Sequence, residues 1–525
     1  MYDVNDEVLP MNEHLLDIYN SPNVIDLATK DTTPLINTTY DFIVIGSGAG
    51  GAVASKELAE KGAKVAIIEE GALPFPWENS AFRSLLKLYR DNGFTGTVGK
   101  PMIPIPLGRC VGGTTVINSG TCFRVPDKVL DLWNMEFGLN EIKYDNLQEC
   151  FLKVEQEIHV EEANWEVMNK SSGFIHKIFT QKGLPCLPLR RNTLNCQGCG
   201  MCCYGCTSGA KKSMELSYIP KGIQSGLALF YNGRAKRILL SNGKVGKSVV
   251  VEIVHPSTHK VIKEIEIKGG SIIVACGTML TPLLLKRSRI AKENSNLGRH
   301  LTIHPASKVA IELEEDISSW VGIPQACYST ALEEEGIIFE GVAMPPDLGP
   351  SAVPFSGSEL LHYWKNYKNI ATFGFMIKDS NEGALRFSFK NQPLYIYQLT
   401  DTDVKRLKKA ITFLIELALD EKPVQIFTMV TKQPNIIKNK DDLYKFIKEE
   451  HTPADFECMA FHPLGTCRIA DTPEKGVCDP YHKVFGTDNI YVCDGSSIPT
   501  SLGVNPQLTI MALATRLVRH LTSAK

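Results

Sequence analysis

The sequence has no run of about eighteen apolar residues, so no segment reads as a membrane-spanning helix. It has almost no charge imbalance. Its 56 Lys and Arg stand against 58 Asp and Glu, a net charge of −2 over 525 residues, which gives nucleic acid or an anionic membrane surface no electrostatic purchase. Internal repeats and low-complexity tracts are missing too, which excludes repeat arrays and compositional scaffolds. The opening stretch, MYDVNDEVLPMNEHLLDIYN, is acidic and broken by Pro10. It lacks the basic-then-apolar layout of a secretory leader, so a cytoplasmic chain is expected. In that compartment the 15 cysteines should be mostly reduced, and a disulfide framework is a poor reading of them.

What is present is the composition of a soluble globular protein, 43% hydrophobic and 22% charged. The length suggests several domains or one large two-lobed enzyme. The character of the chain changes at YDFIVIGSGAGGAVASKELAEKGAKVAIIEEG. Phe42 to Ile45 reads as a buried strand, Gly46, Gly48 and Gly51 as a G-x-G-x-x-G turn, residues 52–61 as a helix, and KVAIIEE as a second buried strand ending at Glu69. In this strand–turn–helix–strand setting the glycine triplet is a strong signal for dinucleotide binding. Gly46 permits the tight turn, Gly48 lets the backbone approach a pyrophosphate, and Gly51 lets helix and strand pack closely, while the helix N-terminus faces the phosphates. A carboxylate at Glu69 suits a ribose hydroxyl pair and disfavours a 2′-phosphate.

Further along, KSVVVEIV and VIKEIEI read as a strand pair, and Ser271 to Ala275 as another buried strand. Residues 311–445 alternate strand-like pieces with one clear helical stretch at 402–420, the pattern of an antiparallel sheet with helices. The expected fold class is α/β, a Rossmann-type lobe joined to a second α+β lobe built on an antiparallel sheet. The expected boundaries are an N-terminal extension at 1–36, a nucleotide-binding lobe at 37–310 (with part of 136–190 open to either lobe), a substrate lobe at 311–445, and a return to the first lobe at 446–525.

Four separated segments resemble the glucose–methanol–choline (GMC) family of flavin oxidoreductases. They are the Rossmann unit at 40–71, GRCVGGTTVINSGTCFR at 108–124, ACGTMLTPLLLKRS at 275–288, and the C-terminal pair FHPLGTCRI at 461–469 and VFGTDNIYVCDGSSIPTSLGVNPQLTIMALA at 484–514. The resemblance implies FAD. Gly46, Gly48, Gly51 and Glu69 would hold its ADP end, and Gly112, Gly113, Thr114 and Asn118 would lie along the flavin. Asp494 would contact the linker between pyrophosphate and ring, and Asn505 and Pro506 would sit at the ring's edge. The segment that carries a flavin-linking His in some members has none here, only Cys110 and Cys122, so noncovalent FAD is expected. No second G-x-G-x-x-G exists for a nicotinamide cofactor.

The family oxidises alcohols, which calls for a proton acceptor with a pKa near working pH, and histidine suits that task. The resemblance places His462 in this role and Asn505 beside it. Asn cannot titrate, so it would orient the hydroxyl or the developing oxyanion. The His/Asn pairing is most similar to the sterol-oxidase and long-chain alcohol oxidase branches. It implies a hydrophobic alcohol substrate, with oxygen, a quinone or a redox protein as electron acceptor. Alternatives are a sugar or polyol dehydrogenase that passes electrons through a cluster, a non-redox lyase on the same fold, and a flavin protein that only relays electrons. His304, in TIHP, reads as structural.

One segment stands apart. In NCQGCGMCCYGCTS, Cys196, Cys199, Cys202 and Cys206 have the ferredoxin ligand spacing, without the usual proline after the last. The stretch resembles a Cys-rich segment of long-chain alcohol oxidases, and a related cluster in FAD-dependent sugar dehydrogenases holds three irons. An iron–sulfur cluster, a reduced metal-free loop, and a zinc site or disulfide all remain open for 195–208.

Overall fold

The computed structural model describes residues 13–29, 37–387 and 393–523. The N-terminal extension therefore lies partly outside the described residues, as does part of the strand-like piece ALRFSFK.

The apolar strand Thr39–Ile45 lies at the centre of an eight-stranded sheet, between the parallel strands Val65–Ile68 and Val261–Val274. Ala228–Tyr231 and Val24–Asp26 extend it in parallel on one side. The pieces VIKEIEI and Ser271–Ala275, expected as separate strands, form one strand of 14 residues. Its first half pairs antiparallel with Val245–Val254, which pairs with Gly233–Ser241. Its last residues switch partners and run parallel to Thr39–Ile45 and to Ile490–Val492. The largely exposed first half gives way to the continuous buried run Ile272–Val274, and the change of pattern marks the change from a solvated antiparallel ribbon to a doubly covered parallel sheet. The helices Ala49–Glu60 and Gln507–Ser523 pack on each other over one face.

A second, seven-stranded sheet is entirely antiparallel, in the order 436–437, 425–427, 306–312, 370–377, 337–341, 327–329, 187–188. It has its own core, in which Phe179, Phe339, Phe373 and Phe375 meet edge to face or stacked. The helix Asp401–Leu419 covers it. This helix starts one residue earlier than the periodicity predicts because Thr400 and Asp403 form a reciprocal capping box.

The contact that positions the site is between bare backbones. Gly46 sits at φ +102°, and a Cβ there would lie 2.2 Å from the Ala275 carbonyl oxygen; one on Gly50 would lie 1.8 Å from that of Cys493. The ends of three parallel strands from distant parts of the chain can therefore meet at one turn. Gly46→Ala should destabilise the flavin-free protein by about 2–4 kcal/mol, from the disfavoured φ and the backbone clash together. A lowered urea midpoint for that lobe is the expected result.

Candidate active site

Between the ends of the two sheets opens a cleft of about 1610 Å³, above the usual range for a small-ligand pocket. Its floor is the glycine turn. The helix Ala49–Glu60 begins there with Gly48 and no side chain capping it, so the helix N-terminus faces the cleft. A Cβ on Gly48 would meet nothing within 4 Å, whereas one on Gly113 would lie 3.0 Å from the Gly48 Cα. The two glycine loops thus touch each other and leave a bare surface to the cleft. Glu69 reaches the same place, but its oxygens already accept from Ser47 N–H (3.0 Å), Ser47 Oγ (2.6 Å) and Gly71 N–H (2.9 Å). Burial nonetheless pushes its carboxyl above the ordinary value. Ser47 Oγ in turn accepts from Gly112 N–H at 2.9 Å, so a hydrogen-bond chain locks the first glycine turn to the second. Sequence reasoning passed over Ser47, which sits at a variable position of the motif.

The other residues expected along a flavin converge on this cleft. Gly113, Thr114 and Asn118 line it, with Asn118 Nδ2 donating to Gln507 Oε1. Gly112, at φ +96°, backs the loop, because a Cβ there would strike the buried Glu215 carboxylate. Asp494 lines the cleft and is buried, accepting from Gly277 N–H (2.9 Å), Thr281 Oγ (2.5 Å) and Ser496 N–H (2.8 Å). Pro506 and Asn505 line the wall where the helix Gln507–Ser523 begins. Cys110 and Cys122 lie buried, outside the cleft lining. The bare glycine floor, the uncapped helix N-terminus and the strip from Gly113 to Asn118 fit a long, flat dinucleotide such as FAD.

At the far end four polar side chains crowd together. Asn505 Nδ2 lies 3.3 Å from His462 Nε2 and 3.5 Å from Glu340 Oε2. Gln325 Nε2 donates to the same Glu340 oxygen at 2.5 Å, while Gln325 Oε1 accepts from Thr121 at 2.7 Å and from Ser119. The rings of His304 and His462 meet edge to face at 5.3 Å, and His304 Nε2 accepts from Gly503 N–H at 2.9 Å. His304 therefore does structural work, but directly beside His462. Burial, and then the neighbouring His304, hold the His462 imidazole well below its ordinary pKa, so it is neutral. Burial pushes the Glu340 carboxyl up to about 7, against the hydrogen bonds from Asn505 and Gln325 that lower it. His462 Nδ1, His304 Nδ1, Glu340 Oε1 and Asn505 Oδ1 are all buried without a protein partner. Four such atoms in one cluster mark a place built to receive a polar group.

Glu340 and Gln325 are the residues that sequence reasoning missed. The available signal for Glu340 was a lone carboxylate in the buried strand Ile337–Gly341, where an unpaired charge is costly.

The cysteine loop folds against the back of this site. Lys211 is fully buried, and its ammonium donates to the carbonyls of Val116 (2.8 Å), Asn118 (2.7 Å) and Cys202 (2.6 Å). Arg191, also fully buried, donates to the Ser119 carbonyl (2.7 Å) and to Cys202 Sγ (3.1 Å), with Cys196 Sγ at 4.0 Å. Cys199 and Cys206 form a separate pair. Among the described residues no three His, Cys, Asp or Glu side chains converge as a metal-ligand set. The four thiols expected as iron–sulfur ligands, Cys196, Cys199, Cys202 and Cys206, stand here as two pairs, the Arg191 guanidinium donating toward Cys202 and Cys196.

The sequence family described as GMC oxidoreductase matches the chain in two parts, its N-terminal region over residues 85–306 and its C-terminal region over 388–514. Over 484 residues the chain is 31% identical to an uncharacterized GMC-type oxidoreductase of Mycobacterium tuberculosis, spanning 91% of this chain and 75% of the relative. It is 26% identical over 547 residues to a long-chain-alcohol oxidase of Arabidopsis thaliana, spanning 95% and 71%. Among solved structures, a formate oxidase of Aspergillus oryzae superposes with a TM-score of 0.71 at 15% identity, over 93% of this chain and 99% of that one, and so shares the fold.

The floor of the cleft makes a separable prediction. Gly48→Val adds a side chain whose Cβ meets nothing of the protein within 4 Å, so the unfolding free energy of the flavin-free protein should stay within about 0.5–1 kcal/mol of the parent. FAD affinity, titrated by quenching of flavin fluorescence, should fall by more than about tenfold through overlap with the nucleotide.

Proposed function

The chain belongs to the GMC oxidoreductase family, and from that premise we propose that it oxidises the CH–OH group of a hydrophobic alcohol with noncovalently bound FAD. The observation that carries this reading is the 3.3 Å pair of a neutral His462 and Asn505, set in a cleft wall whose other members include Val342, Met344, Phe375, Met376, Met459 and Phe461. Apolar walls of this kind suit an aliphatic or sterol-like alcohol. The similarity to a long-chain-alcohol oxidase supports both that substrate class and dioxygen as acceptor. The loop has no histidine, and both of its thiols lie outside the cleft, which supports noncovalent attachment.

Bound FAD supplies the hydride acceptor. His462 offers Nε2 to the hydroxyl proton in the tautomer that carries its hydrogen on Nδ1, and its low pKa keeps the ring neutral throughout the neutral range. Asn505 donates an N–H to the alcohol oxygen and to the negative charge that develops on it. Glu340, when ionised, accepts from the Asn505 amide and the Gln325 amide together, which fixes the amide nitrogen of Asn505 toward the reacting oxygen. The apolar wall excludes water, so each of these hydrogen bonds acts in a medium of low polarity.

Anaerobic mixing of the FAD-loaded enzyme with a long-chain primary alcohol should bleach the visible flavin band; a flavin that no alcohol bleaches would remove the proposal. His462→Ala should retain FAD and lose about 10² to 10⁴ in kcat, and near-parental turnover would rule out its role as base. The pH profile separates the two titrating groups. Because Glu340 has its carboxyl raised to about 7 and acts as the carboxylate, kcat/KM should rise through about pH 7 as it ionises. His462, depressed, should contribute no limb near its ordinary value. Glu340→Gln should flatten the rise and cost about tenfold in kcat/KM, the scale of one hydrogen bond to a charged group.

A further inference from the structure

The cysteine loop holds two kinds of thiol, and their placement differs in a way the ferredoxin-like spacing does not suggest. Cys202 and Cys196 face the buried guanidinium of Arg191. Cys199 and Cys206 instead meet each other, their thiols within hydrogen-bond reach. Both also touch one hydroxyl, Ser208 Oγ, at 3.9 Å and 3.6 Å. The two are unequal: Cys199 is exposed and Cys206 is buried. Cys206 Sγ further accepts the Lys211 backbone N–H at 3.2 Å.

The backbone is built to bring them together. Gly200 and Gly205 both take left-handed φ values, +77° and +92°. A side chain at either would clash, with the Trp320 carbonyl oxygen at 2.4 Å and with the Trp77 ring at 2.5 Å. Between them the Met201 carbonyl accepts from Tyr204 and Cys206 N–H, so the chain turns back within a single loop and residue 206 returns beside residue 199. An exposed thiol in contact with a buried one, with O–H and N–H groups aimed at the sulfurs, is the arrangement of an attacking cysteine and its resolving partner.

We propose that Cys199 and Cys206 are a redox-active dithiol that hydrogen peroxide converts to a disulfide. The Cys199 thiolate attacks one peroxide oxygen, the O–O bond breaks, and hydroxide leaves, giving a sulfenic acid. The Cys206 thiol then loses its proton and attacks that sulfur. The S–S bond forms as the S–O bond breaks, and the hydroxyl departs as water. In sum, two thiols and one peroxide give one disulfide and two waters, and a small-molecule dithiol reverses the change. Peroxide is also the product of alcohol oxidation when dioxygen is the acceptor, a source that rests on the reading above; the oxidation itself does not. The pair lies next to the flavin loop, because Lys211, whose N–H holds Cys206, also holds the carbonyls of Val116 and Asn118.

The protein contains its own control. Cys186 and Cys327 are also in contact, but both are buried. The test uses the full-length, FAD-loaded, pre-reduced enzyme with added equimolar hydrogen peroxide, free thiols being blocked and the peptides mapped by mass spectrometry. The expected result is a Cys199–Cys206 disulfide that forms about tenfold faster than any change at Cys186 or Cys327, the scale set by exposure and thiolate character. In Cys206→Ser a sulfenic acid should persist at Cys199 and be trapped by dimedone. In Cys199→Ser none should appear at Cys206. The proposal is overturned if both thiols survive the treatment, or if Cys199 pairs instead with Cys196 or Cys202. It is equally overturned if anaerobically isolated protein carries stoichiometric iron and sulfide on these thiols. Since none of these readouts uses alcohol turnover, failure here and failure of the functional reading are distinguishable.

Discussion

Everything at this site depends on main chain touching main chain. The Rossmann turn and the residues that follow the strands Val261–Val274 and Ile490–Val492, Ala275 and Cys493, come within van der Waals contact because Gly46, Gly50 and Gly51 carry no Cβ. Segments more than two hundred residues apart are joined there. Asp494 then reaches the Gly277 N–H and Thr281, and His462 and Asn505 meet each other in the wall of the same cleft. A methyl group at the joint would move the His462 end of the cleft relative to its glycine floor. The glycines thus align two halves of one site as well as leaving room for phosphate.

Low polarity does the rest. The same burial pushes His462 toward neutrality and Glu340 toward protonation, opposite consequences of one cause acting on a base and an acid. It leaves the imidazole neutral and raises the carboxyl's titration to about pH 7. The hydrogen bonds from Asn505 and Gln325 partly restrain Glu340, which couples its charge to the orientation of the amide beside it. Four unpartnered polar atoms gathered in one cluster carry a desolvation cost that an arriving polar ligand would offset.

The loop behind the flavin strip follows a different logic. Two fully buried side chains, Arg191 and Lys211, fasten it to the carbonyls of residues 116, 118 and 119. Its glycines and buried cations divide the four spaced thiols into two unlike pairs, one facing a guanidinium and the other facing solvent at one edge.

The sequence by itself determined the α/β class, the dinucleotide turn, the family and, to within a residue, the long amphipathic helix read at 402–420, because each rests on local periodicity or on short runs of backbone-specific residues. It also supplied the names of His462 and Asn505, through motifs rather than through any local physical signal. Tertiary structure alone decided that Val261–Val274 is one strand serving two kinds of sheet, since strand continuity depends on which partners lie alongside. It alone engaged Glu69 with Ser47, and brought Glu340 of the second sheet to both Gln325 and Asn505, contacts between residues 15 to 165 positions apart that local periodicity does not reveal. The cysteine spacing shows the same division: the chain fixes how far apart the thiols stand along the backbone, and the positive-φ glycines and a buried arginine fix which of them meet.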